Sequence, residues 1–125
     1  MSTVTTRETV WLRVCALADL TAERGRAALL PGGEQIALFR LTDGTVRAVS
    51  NRDPYAGANV LSRGIVGSAT FTDGTEIATI SSPLHKQAWD LRTGTVVRTQ
   101  GHDERHIRTY PVTVDGGQVL VRTES

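Results

Sequence analysis

Three histidines, one cysteine and a scatter of serines and carboxylates are the chemically able residues of this chain. Two of the histidines bracket the run His102-Asp103-Glu104-Arg105-His106. A zinc-protease helix needs His-Glu-x-x-His, with the glutamate as general base. Here Asp103 holds the second position, and the flanks read as a loop leading into a strand, so the run reads as a solvated polar loop. His85 alone could ligate a metal, act as a base or order its own loop, and ordering is the reading its isolation favours. Asp53 and Asp90 offer two carboxylates, but nothing in the sequence pairs them for acid–base chemistry. No Gly-x-Ser-x-Gly elbow surrounds a serine. There is no Gly-x-x-x-x-Gly-Lys phosphate loop, and Gly25, Gly32, Gly33 and Gly44 fall in no Gly-x-Gly-x-x-Gly frame. Trp11 and Trp89 each sit in a strand-like run and read as core or partner anchors. Residue by residue no self-sufficient active site emerges, which points to an accessory role.

The bulk properties narrow the classes further. The chain has 125 residues, the size of about one domain. Fourteen basic against 13 acidic residues leave a net charge of +1, with Lys86 the only lysine. That balance lacks the basic excess of a chain built to neutralise phosphates, and no aromatic-plus-basic stripe for nucleic acid is present. Hydrophobic content of 39% and charged content of 22% are ordinary for a globular domain. The lone Cys15 excludes an internal disulfide, a four-cysteine zinc site and a cysteine-ligated iron–sulfur centre. It lies in Trp11-Leu12-Arg13-Val14-Cys15-Ala16-Leu17, which reads as a buried strand, so Cys15 is expected to be a small core residue. No run approaches the roughly 20 apolar residues of a membrane helix. The polar, Thr-rich residues 1–9 lack the apolar centre of a signal peptide and are expected to be a disordered lead-in. A single domain over residues 10–123, in the cytoplasm, is the expectation.

Strands are the secondary structure this sequence favours. Short runs rich in Val, Ile, Thr and aromatics are punctuated by Gly and Asp-Gly. Strands are expected at Val10 to Ala16, Ala27 to Leu30, Gln35 to Leu41, Thr45 to Ser50, Ser68 to Thr72, Thr75 to Ser81, Gln87 to Asp90, Thr95 to Arg98, Ile107 to Val114 and Gln118 to Arg122. Asp43-Gly44, Asp73-Gly74 and Asp115-Gly116-Gly117 read as hairpin turns, where glycine supplies the positive φ of a tight connection. Asn51 to Gly67 should be loop, with a turn of helix near Ala58 to Leu61. Many short strands without a long helix argue for an all-β sandwich or barrel. Two stretches break the strand rhythm without being simple turns, Asn51 to Gly57 and Ser81 to Lys86. Loops on a rigid β scaffold are where function concentrates.

Those two loops line up with a family. Rieske domains place Cys-x-His in one loop and Cys-x-x-His in a second, two cysteines binding one iron and two histidines the other. Asn51-Arg52-Asp53-Pro54 stands where the first motif would be, and Ser82-Pro83-Leu84-His85 resembles the second with Ser for Cys. Trp89-Asp90-Leu91-Arg92-Thr93-Gly94 resembles the aromatic-Asp strand and turn that follows it. Ile36 to Arg40 and the Asp43-Gly44 turn resemble the strands before the first loop. Only His85 keeps a ligand type, so the scaffold resembles a small Rieske-like β-sandwich or barrel whose two loops sit at a former cluster site.

Asn51-Arg52-Asp53-Pro54, Gly64-Ile65-Val66-Gly67, Ser82-Pro83-Leu84-His85-Lys86-Gln87 and Asp90 to Gly94 together resemble the small subunit of bacterial assimilatory NAD(P)H-dependent nitrite reductases, over about residues 10–123. The resemblance implies an accessory chain that binds no cofactor itself. It implies a large-subunit partner carrying flavin (FAD), an iron–sulfur cluster and sirohaem, which reduces nitrite to ammonia. Asn51, Arg52, Asp53, Ser82, His85 and Lys86 are then the vestigial cluster loops and the expected docking surface. Asp53 and Ser82 are also expected to tether the loops in place of the cluster. The alternative is a cluster-free Rieske-like subunit of another oxidoreductase or an oxygenase. A stand-alone electron carrier lacks its thiolates, and a metal held by His85 and Asp53 alone has too few protein ligands.

Overall fold

The computed structural model describes residues 9–84, 87–99 and 103–124. Alternation of apolar and polar residues, cut by glycine turns, sets the order of its strands: β1 (Thr9–Ala16), β2 (Gly25–Leu29), β3 (Gln35–Arg40), β4 (Val46–Ser50), β5 (Arg52–Asp53), β6 (Ala58–Asn59), β7 (Ile65–Thr70), β8 (Glu76–Ser81), β9 (Ala88–Asp90), β10 (Val96–Arg98), β11 (Thr109–Tyr110), β12 (Val112–Asp115) and β13 (Gln118–Glu124). Among the described residues the helical pieces are two single 3-10 turns, Leu17–Asp19 and Leu61–Arg63. No described helix is long and apolar enough to cross a membrane.

The strands form three main antiparallel sheets, ordered β1-β13-β12, β11-β4-β3-β2 and β10-β9-β8-β7, plus the small hairpin β5-β6. Strand β3 is buried almost throughout, because Ile36 and Leu38 face one core while Ala37 and Phe39 face the other. The first core gathers Cys15, Leu20, Leu30, Ile36, Leu38, Tyr110, Val119 and Val121. The second gathers Phe39, Val49, Leu61, Ile80, Trp89, Leu91 and Ile107. It is the second that underlies the candidate site. Cys15 is buried in the first, where burial pushes its thiol pKa up.

Two hairpins repeat one local device. Asp43 and Asp73 each accept the backbone N–H two residues on, from Thr45 and Thr75, both at 2.9 Å. Those bonds favour the charged carboxylate and hold both aspartates below their usual pKa. Gly44 and Gly74 follow at φ 88° and 87°, a conformation that costs glycine little.

Strand β1 takes in Thr9, expected to belong to the lead-in, while residues 1–8 lie outside the described residues. The strand boundaries depart most from the sequence reading in three further places. Strand β7 begins at Ile65, three residues before the expected Ser68. The stretch read as loop after Asn51 contains the β5-β6 hairpin, and the helical turn expected near Ala58 to Leu61 lies at Leu61–Arg63. The strand expected from Ile107 to Val114 is divided at Pro111. Its first part joins β4 and its second joins β13. Proline has no N–H for a ladder, so the chain changes sheets there.

Candidate functional site

The first loop leaves β4 at Ser50 and is fixed at once by Asn51, which is 1% exposed. Its Nδ2 donates to Gln35 Oε1 at 3.1 Å, and its Oδ1 accepts the Ser62 N–H at 2.7 Å. Its backbone N–H donates to the Gln35 carbonyl and its carbonyl accepts from Leu61. One amide side chain therefore joins β3 to the 3-10 turn at Leu61–Arg63. Two residues on, Asp53 is fully buried. Its Oδ1 accepts the N–H groups of Tyr55 at 2.8 Å and Ala56 at 3.3 Å. Its Oδ2 accepts the Ser82 hydroxyl at 2.5 Å.

Ser82 lies in the second loop, 29 residues away, and closes that loop on itself. Its N–H donates to the Gln87 carbonyl at 3.0 Å, and its Oγ accepts from the Leu84 N–H at 3.2 Å. The Asp53–Ser82 bond is thus the direct link between the loops. A short O–H···O⁻ bond is among the stronger hydrogen bonds, and burial removes water as a competitor. Arg52 is exposed, with its guanidinium against Gly57. Its side chain points outward while those of Asn51 and Asp53 point in. His85 and Lys86 lie outside the described residues.

A third segment, invisible to the sequence reading, braces the first loop. The Tyr55 hydroxyl donates to the Asp103 carbonyl at 2.6 Å and accepts the Arg105 N–H at 2.9 Å. Arg105 donates to the Pro54 carbonyl at 3.1 Å and lies over the Tyr55 ring. Its own carbonyl accepts from Trp89 Nε1 at 2.8 Å. The Trp89 ring, fully buried, meets Tyr55 with centroids 6.0 Å apart. Of the two tryptophans only Trp89 is a core anchor; Trp11 is 41% exposed. Gln35, Tyr55, Ser62 and Arg105 carry no motif signal, because each matters only through a partner distant in sequence. His102 lies outside the described residues. His106 Nδ1 accepts the Val96 N–H at 3.0 Å, a tie to β10. Asp90 does not meet Asp53 by hydrogen bond; its Oδ1 accepts the Arg92 N–H at 2.8 Å and shapes its own turn.

The described donors do not fit a two-iron, two-sulfide cluster. Such a cluster is held by thiolates and, in Rieske centres, by imidazoles on the second iron. At the matching positions stand an amide, a carboxylate and a hydroxyl, and each is already committed to hydrogen bonds inside the protein. The only thiol belongs to the other core. Among the described residues, no group of three or more His, Cys, Asp or Glu side chains could hold a metal ion.

Gln87 is the one member of the second loop at odds with its surroundings. It is fully buried, and among the described residues neither amide atom of its side chain has a hydrogen-bond partner. A buried unsatisfied amide costs about 1–3 kcal/mol. Gln87→Met keeps the shape and removes both polar atoms, so thermal unfolding should move upward by a few degrees at about 1 kcal/mol of gain. A fall in Tm on this substitution would mean that the amide is satisfied in solution.

A small all-β scaffold whose two long loops are tied by the buried Asp53–Ser82 hydrogen bond is of Rieske type. The Rieske-like [2Fe-2S] domain family matches residues 10–122. The nitrite reductase (NADH) small subunit of Escherichia coli (strain K12) is 34% identical over 113 residues, covering 90% of this chain and 96% of that one. A crystal structure described as an NADH-dependent nitrite reductase small subunit from Mycobacterium tuberculosis is 39% identical, with a TM-score of 0.80 over 94% of this chain and 98% of that one. A stretch of the nitrite reductase [NAD(P)H] large subunit of Klebsiella oxytoca is 42% identical over 111 residues, covering 89% of this chain but 11% of that relative's length. The chain belongs to the Rieske-like [2Fe-2S] domain family, on its nitrite reductase small-subunit branch.

Proposed function

We propose that this chain is the accessory small subunit of an assimilatory NAD(P)H-dependent nitrite reductase. The observation that carries the proposal is the match to the E. coli small subunit along nearly the whole of both chains. In this reading a large subunit holds FAD, an iron–sulfur cluster and sirohaem in the cytoplasm and reduces nitrite to ammonia. The chain described here holds no cluster and presents its two loops to that partner. The Klebsiella large subunit supports the pairing, since it contains a stretch similar to this chain within its own length. Covalent joining keeps two modules at high effective concentration, so a module joined in one organism and separate in another is expected to occupy the same place.

The loop surface has the make-up of a docking patch. Leu84 is 52% exposed in the second loop, and Ile65, opposite Ser81 in the β7–β8 ladder, is 73% exposed. Arg52 and Arg63 are exposed in the same part of the chain. Apolar side chains among arginines are common at protein interfaces. His85 and Lys86 extend the same loop in sequence and are assigned to the same surface. Asn51, Asp53 and Ser82 face inward and hold the patch in shape rather than touching the partner.

Co-elution of the purified chain with the large subunit on size exclusion tests the pairing. Arg52→Glu should weaken it about tenfold, or about 1.4 kcal/mol, and should reduce its sensitivity to salt. Complex formation unaffected by Arg52→Glu would remove this loop from the interface.

A further inference from the structure

The three main sheets leave two edges side by side. Strand β1 is the outer strand of β1-β13-β12, and β2 is the outer strand of β11-β4-β3-β2. Among the described residues neither pairs with a further strand on its outer side. Between them runs a groove of about 330 Å³, formed by residues 12–14 of β1 on one side and residues 26–31 on the other. Its apolar floor is the flank of the first core, through Leu12, Val14, Ala28 and Leu30.

The register fixes which backbone groups face the groove. The Leu30 N–H donates to the Glu34 carbonyl, so Leu30 points its backbone toward β3. Antiparallel ladders alternate. Ala28 and Arg26 therefore also point toward β3, while Ala27 and Leu29 point their N–H and C=O outward. The edge is closed at one end, where Gly25 packs so tightly on the Ser62 carbonyl that a Cβ there would overlap it. It ends at Pro31 on the other side. Between these stops, Ala27 is exposed and Leu29 is 70% exposed. An uncovered apolar edge invites strand addition, and soluble proteins normally blunt or cover one. Among the described residues the charged side chains lining the groove are Arg13, whose Nε also donates to Gln118 Oε1, and Arg26, both exposed.

We propose that this groove accepts an extended acidic segment of the large subunit, added as a strand along β2. Main-chain bonds to Ala27 and Leu29 would supply the attachment, the apolar floor would take alternate side chains, and Arg13 and Arg26 would select carboxylates. The proposal rests on the nitrite reductase pairing and adds a second contact, separate from the Asp53–Ser82 loops.

Hydrogen exchange of the full chain, alone and mixed with the purified large subunit, tests it. The amides of Ala27 and Leu29 should exchange quickly in the free chain and at least tenfold more slowly in the complex. Ala27→Pro removes an outward N–H without touching the β3 ladder, and edge strands tolerate proline. It should leave the Tm of the free chain nearly unchanged and weaken the complex about tenfold or more. Arg26→Glu should weaken it similarly, without altering the fold. A complex in which Ala27 and Leu29 still exchange freely, with both variants binding normally, overturns the groove while leaving the pairing intact. Failure of any complex to form overturns both. Protection that rises with the concentration of the free chain alone would assign the groove to a second copy and overturn the proposed partner.

Discussion

Asp53→Ala should lower the Tm of the free chain by about 10 °C, a loss of about 3 kcal/mol. Two effects oppose one another. Burying a carboxylate costs several kcal/mol, so its removal could stabilise if a well-packed apolar group replaced the whole network. Alanine does not do that. It removes the acceptor and leaves behind the Ser82 hydroxyl and the Tyr55 and Ala56 N–H groups, all of which donate to Asp53 in the native chain. Buried donors without acceptors each cost about 1–3 kcal/mol, and the second loop loses its direct tie to the first. Asp53→Asn keeps an acceptor oxygen in place and should lose roughly a third as much, about 1 kcal/mol. Thermal unfolding followed by circular dichroism separates the two. Equal, small losses for both variants would mean that the loops hold without this bond.

Gly94→Ala should be at least as damaging, at about 3–4 kcal/mol. Gly94 has φ 76°, where an L side chain is strained. A Cβ there would also overlap the Ile107 carbonyl oxygen. The backbone at this point is held on both sides: the Gly94 N–H donates to the Asp90 carbonyl at 2.8 Å, and the Ile107 N–H donates to the Gly94 carbonyl at 2.9 Å. Relieving the overlap requires Ile107 to move, yet Ile107 is buried in the same core as Trp89. The damage should therefore spread to the Trp89–Arg105 bond and to the brace on Tyr55. Near-ultraviolet circular dichroism, which senses the packing of Trp89, should change along with the Tm. An alanine variant as stable as the parent would show that the 90–94 turn can rearrange freely.

Much of the fold was legible from local patterns. Aspartate-glycine turns marked the β3–β4 and β7–β8 hairpins because the turn chemistry is complete within four residues. Cys15 and Trp89 read as core from their apolar neighbours. Pro111 is visible in the sequence, but alternation continues on both sides of it, and the exchange of sheets depends on which strands wait on either side. The β5-β6 hairpin escaped for a related reason. Two-residue strands have no periodicity to detect, and this hairpin is held by Asp53 and by Arg105, some 50 residues on.

The candidate site divides the same way. Asn51, Asp53 and Ser82 stood out through their places in the two motif-like loops. Their partners did not, since Gln35, Ser62 and Tyr55 are ordinary residues until the chain folds. The orphaned amide of Gln87 was equally hidden, as nothing local distinguishes a buried glutamine from a solvated one. The groove between β1 and β2 could not be read from either strand alone, because it exists only through the order of two separate sheets.

As proposed, this chain serves a nitrite-reducing partner and does no redox chemistry itself. NADH- or NADPH-dependent nitrite consumption by the purified large subunit, measured with and without the chain, tests that most directly. The rate should rise several-fold on addition of the chain, with no nitrite consumption by the chain alone. An unchanged rate, with no complex detected in the same mixture, would contradict it.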